Sequence, residues 1–169
     1  CSGSVLFDGG LPTLTIDPNI TSNNPTTPNT LAKPGDEITL TFTTSEVIKE
    51  PVVTFSSGGV AIADTSITYA NSSGTNWTAK YTADPADTNG IVTYVITFMD
   101  LMENSGIAVT NGTGSVTFDK TPPTLQSVSM ISNNTNNTLA KQGDEITLSF
   151  TADEPLSETI VTFNGSIAN

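Results

Sequence analysis

The side chains in this sequence with the most chemistry to offer are its carboxylates. Of 169 residues, 17 are Asp or Glu and five are Lys, with no Arg and no His. The single cysteine stands at position 1. There is thus no imidazole base, no internal thiolate and no cysteine-based metal site. Neither a glycine-rich phosphate loop nor a nucleophile elbow occurs. The adjacent acids Asp36-Glu37 and Asp144-Glu145 have the side chains a glycosidase uses. Neighbouring residues on a strand point to opposite faces, however, and no aromatic-rich cleft accompanies them. An enzyme is therefore not expected. Converging carboxylate and amide oxygens can instead hold a hard cation such as Ca2+, which takes roughly six to eight oxygen ligands.

The formal net charge of −12 narrows the partners. No cationic surface is available to neutralise nucleic-acid phosphates, and none to attract an anionic membrane surface. An acidic surface also serves simply to keep an extracellular protein soluble. No run approaches the ~20 apolar residues of a transmembrane segment. The opening Cys1-Ser2-Gly3-Ser4 resembles the start of a mature bacterial lipoprotein, whose cysteine carries a lipid anchor. The alternative is that Cys1 merely begins a fragment, since the chain does not start with Met.

The elements that must position these acids announce themselves by repetition. Residues 29–46, NTLAKPGDEITLTFTTSE, return at 137–154 as NTLAKQGDEITLSFTADE, identical at fourteen of eighteen positions. Gly3–Asp8, GSVLFD, likewise matches Gly114–Asp119, GSVTFD. One structural unit is used more than once. Pro12 and Pro122-Pro123 mark the linkers. We expect a last-strand remnant of a preceding repeat, or an N-terminal strand, over 1–10, a complete unit over 11–119, and the first half of a second unit over 120–169.

Within the complete unit the apolar period is two. Strands are expected at 13–16, 37–43, 52–55, 60–63, 66–70, 77–81, 91–99 and 107–118, the last broken at Asn111-Gly112. A loop is expected over 19–34. Ile38, Leu40 and Phe42 face a core, as do Trp77, Ala79 and Tyr81, and Val92, Tyr94, Ile96 and Phe98. Strands 37–43 and 91–99 should meet across two sheets. Short strands, a turn signal every ~8–12 residues and no helical period define an all-β, immunoglobulin-like β-sandwich in tandem. In the second copy, strands are expected for a first segment, for 145–151 and for 160–163.

These residues resemble the tandem bacterial immunoglobulin-like repeats of large secreted surface proteins and adhesins. The resemblance rests on residues 31–42 (LAKPGDEITLTF), 77–82 (WTAKYT), 90–106 (GIVTYVITFMDLMENSG) and 116–123 (VTFDKTPP). It implies an extracellular, non-catalytic repeat that spaces, stiffens or adheres. The loop Asp100–Asn104, DLMEN, departs from the family's usual D-L-A-G-N at Met102 and Glu103.

Sandwich topology sorts the acids to two ends. One end collects Asp36, Glu37, Asp84, Asp87 and Asp119, and would face the next repeat's Asp153, Glu154 and Glu158. The other collects Asp8, Glu46, Glu50, Asp100, Glu103 and Asn104. Calcium at such junctions would turn hinges into a rod. The competing reading is that these residues only make Asx turns and cap strand ends. Asn-x-Ser/Thr acceptors for glycans stand at Asn19, Asn71, Asn76, Asn111, Asn133, Asn136 and Asn164.

Three roles follow. The first is a spacer in a cell-surface protein, with neighbouring repeats as partners. The second is a filament or sheath of identical subunits, the strand Ser4–Phe7 of one molecule completing the half-unit of the next. The third is a module binding host or environmental glycans or proteins through the loop at 100–105.

Overall fold

The computed structural model describes residues 7–25 and 29–163 and the backbone of 166–167. Cys1, Asn164 and the start of the proposed donor strand Ser4–Phe7 lie outside the described residues. The chain divides into two compact units, residues 1–120 and 121–169. No helix occurs among the described residues.

In the first unit the strands are β1 (Leu14–Ser22), β2 (Leu31–Ala32), β3 (Glu37–Thr44), β4 (Val52–Ser57), β5 (Val60–Ala61), β6 (Thr68–Asn71), β7 (Asn76–Thr82), β8 (Gly90–Thr97), β9 (Thr113–Gly114) and β10 (Thr117–Phe118). They form two five-stranded sheets, ordered β6-β7-β3-β1-β9 and β2-β10-β8-β4-β5. This is the immunoglobulin arrangement, with the second and sixth long strands in opposite sheets. Strict alternation on β3, β7 and β8 drives it. Ile38, Leu40 and Phe42 on β3, and Trp77, Ala79 and Tyr81 on β7, are buried. They join Val92, Tyr94, Ile96 and Phe98 from β8 in one core. Burial of such side chains stabilises by roughly 1.5–3 kcal/mol each.

Two segments depart from the expected layout. The first strand does not end at Ile16 but runs to Ser22, pairing Asn19 with Thr41 and Ser22 with Ile38. A register shift between Ile16 and Asn19 makes room for Asp17-Pro18, since proline has no N–H for the ladder. The first four residues of the expected loop, 19–22, are therefore strand, and Leu31–Ala32 adds another short one. The last strand is also divided differently. Residues 107–112 are held to β8 by the bridge Val109–Ile96. β9 then pairs with β1 and β10 with β8, so the chain changes sheets at its end. Gly114 permits the crossing: its φ is 76°, and a Cβ there would lie 2.3 Å from the Ile20 carbonyl oxygen.

The second unit contains β11 (Leu125–Ser132) paired antiparallel with β12 (Ile146–Ala152), and a short hairpin of β13 (Thr162–Phe163) and β14 (Ser166–Ile167). β13 is the sequence counterpart of β4, but β8 and β10 of the covering sheet have no counterpart among the described residues of the second unit. Val128, Met130 and Leu139 are accordingly exposed.

Candidate metal centre

The repeated sequence folds into the same hydrogen-bonded cassette in both units. Asp36 Oδ2 accepts from Asn24 Nδ2 at 2.6 Å and from the Lys33 N–H at 2.8 Å. Asp144 Oδ2 accepts from Asn134 Nδ2 at 2.8 Å and from the Lys141 N–H at 2.9 Å. The Glu37 N–H donates to Asn23 Oδ1, and the Glu145 N–H to Asn133 Oδ1. Gly35 and Gly143 turn the chain at φ of 91° and 92°. Hydrogen bonds from Lys141 and Asn134 hold the Asp144 carboxyl below its ordinary pKa.

The other acids at the Asp36 end of the first unit are engaged similarly. Glu37 pairs with Lys80 at 2.8 Å. Asp84 accepts the Ala86 N–H. Buried Asp87 accepts the N–H groups of Ala63 and Asp84. Asp119 accepts from Asn89 Nδ2. In the second unit, Asp153 accepts both the backbone N–H and the hydroxyl of Thr124, which lower its pKa. These carboxylates therefore close turns and tie strand ends. Asp36, Glu37, Asp84, Asp87 and Asp119 do not form a shared cluster.

The opposite end of the first unit differs. Asp8 lies ahead of β1, Glu46 just past β3, and Asp100 just past β8. Their carboxylate oxygens lie within 4.8 Å of one another. Asp100 is 1% exposed and is held by an isolated bridge to Ile48. Its Oδ1 accepts the N–H groups of Met102 and Asn104, each at 2.8 Å. Its Oδ2 accepts from Asn104 Nδ2 at 2.7 Å. Burial pushes this carboxyl up, but the hydrogen bonds from Asn104, Met102 and Glu103 outweigh it and hold the pKa below the ordinary value. Asn104 Nδ2 also reaches the Asp8 carbonyl at 3.4 Å.

Glu103 is not part of the trio. Its Oε1 meets Lys49 Nζ at 2.7 Å, and that hydrogen bond and charge lower its pKa. Three carboxylates this close repel. Two unit charges at ~4 Å cost roughly 1 kcal/mol in water and about 4 kcal/mol at a protein margin. The donor set is all oxygen and anionic, which suits Ca2+ rather than a softer metal. Topology alone places Glu46 at this end; nothing local in its sequence marks it as a ligand.

The glycan-acceptor asparagines Asn19, Asn71, Asn76, Asn111, Asn133 and Asn136 are all exposed. Several make local bonds instead of standing free: Asn71 Oδ1 accepts the Ser73 and Gly74 N–H groups, and Asn76 bonds Thr43 and Ser73.

No family model matches this chain, and no curated protein matches it. Among solved structures, titin M4 in its trigonal form is similar over 66% of this chain and 96% of that one, at 18% identity and a TM-score of 0.34.

Proposed function

We propose that this chain is a non-catalytic, extracellular repeat module of a large cell-surface protein, spacing and stiffening it, with Ca2+ bound where the linker enters each unit. The cassette formed twice, from Asn23, Asn24 and Asp36 and again from Asn133, Asn134 and Asp144, carries the repeat reading. A module whose function lay in one catalytic pocket would have no reason to duplicate a turn so faithfully. The resemblance to tandem bacterial immunoglobulin-like repeats supports the extracellular setting, as does the acidic charge.

The trio Asp8, Glu46 and Asp100 supports the stiffening role. Glu46 and Asp100 belong to the sandwich, whereas Asp8 belongs to the segment leading into it. A cation shared by all three would clamp that segment to the unit.

Amide hydrogen exchange over residues 8–11, with Ca2+ and with chelator, tests this reading. Calcium should slow exchange there at least ~10-fold, because bound ligand adds its binding energy to closure of the segment. Equal exchange in both conditions would overturn the stiffening role.

A further inference from the structure

We propose that Asn111-Gly112 is a self-modifying site, at which the Gly112 backbone nitrogen attacks the Asn111 side chain and leaves aspartate and isoaspartate at the seam between β1 and β9. The pair Asn-Gly occurs at three places, residues 89–90, 111–112 and 164–165. The last lies outside the described residues. The fold treats the other two differently.

Asn89 is locked. Its Nδ2 donates to Asp119 Oδ1 and its Oδ1 accepts the Lys120 N–H, both at 3.0 Å. Gly90 after it opens β8 and lies opposite Phe118. Asn111 is exposed, and its side chain makes no hydrogen bond to a described residue. Residues 110–112 belong to no strand. The chain is held before them by the Val109–Ile96 bridge and after them by β9. The Asn111 side chain is thus free to fold back onto the next peptide nitrogen.

The attack favours glycine at 112, because a side chain there would hinder the approach. Packing demands the same residue. A Cβ at 112 would lie 2.2 Å from the Pro18 carbonyl oxygen and 2.6 Å from Tyr94 Oη. The glycine that makes Asn111 reactive is therefore the one the sandwich needs.

In the reaction, base removes the Gly112 N–H proton and the nitrogen forms a bond to Asn111 Cγ. The Cγ–Nδ2 bond breaks, and Nδ2 leaves as ammonia, taking a proton back from solvent. Water then opens the succinimide ring at either carbonyl. One opening gives aspartate. The other gives isoaspartate, whose main chain runs through the former side chain. Overall, water is consumed and ammonia released, with no oxidant or reductant. Both products add a negative charge to a groove that Asn111 and Gly112 share with Asp17, and like charges repel. Isoaspartate also lengthens the main chain just before β9. There Thr113 and Gly114 pair with Asn19 and Ile20, and the Thr113 hydroxyl donates to the Pro18 carbonyl. The modification loosens this seam, where the chain changes sheets.

Peptide mass spectrometry tests this on the full chain, made in a host without N-glycosylation and aged in mildly alkaline buffer. The amide-to-acid mass gain is followed at each asparagine, and backbone fragmentation separates isoaspartate from aspartate. In the folded chain Asn111 should convert at least ~10-fold faster than Asn89, whose reaction waits on local opening. In urea that protection is gone, and the two should react within about threefold of each other. Equal conversion in the folded chain would overturn the site, as would an Asn111 that stays intact while both react in urea. Hydrogen exchange at Thr113 and Gly114 reads the consequence. Aged wild type should exchange there at least ~5-fold faster than equally aged Asn111→Gln, whose longer side chain closes the ring poorly. Equal exchange in the two would overturn the loosening of the seam.

Discussion

Glu103 sits in the left-handed region at φ 72°, a conformation that costs a residue with a Cβ about 1–2 kcal/mol. Glycine bears no such cost. The ion pair with Lys49 offsets little of this, because both side chains are well exposed and solvent screens the pair. Glu103→Gly should therefore stabilise the first unit by roughly 0.5 kcal/mol in urea unfolding. A loss of more than about 1 kcal/mol would mean that the Lys49 contact dominates. Asp100, Asp144 and Asp153 all have carboxyl pKa values held below the ordinary one. A group depressed in the folded state stabilises above its unfolded pKa, and that contribution disappears as pH falls through the folded value. The melting temperature should thus be flat from neutrality to about pH 5 and decline below it. A maximum in acid would contradict these assignments.

At the scale of elements, alternation was the readable signal. The inward residues of β3, β7 and β8 follow directly from period two, because a one-residue slip would expose the whole core set. The length of β1 was not readable: Asp17-Pro18 looks like a strand end, and only pairing with β3 through a bulge carries the strand past it. The change of sheet between β9 and β10 depends on Gly114 meeting the Ile20 carbonyl, a contact between distant segments. The cassette turns rest on Gly35 and Gly143, both near φ 90°. Nothing crowds a Cβ at either position, so Gly35→Ala and Gly143→Ala should each cost only the backbone strain, about 1–2 kcal/mol. Local hydrogen exchange at each turn measures it; a neutral effect at both would show that the turn relaxes.

At the scale of the whole molecule, the duplicated sequence folds into the same hydrogen-bonded cassette in both units, while the site was legible only as two pools of acids. The sequence cannot distinguish acids that close turns from acids left facing one another, because that depends on which backbone N–H groups lie nearby. Asp36 and Asp87 find such partners nearby, and so do Asp8, from Gly10, and Asp100, from Met102 and Asn104. Asp8, Glu46 and Asp100 come from three separate segments, and only the sandwich brings them within 4.8 Å. The stiffening role therefore depends most on whether that trio holds a cation. Calorimetric titration of Ca2+ into the full chain and into Glu46→Gln tests it most directly. The account predicts saturable binding in the wild type and at least ~10-fold weaker binding in the variant, the loss of one of three anionic ligands. No heat of binding in the wild type, or equal affinity in the variant, would contradict it.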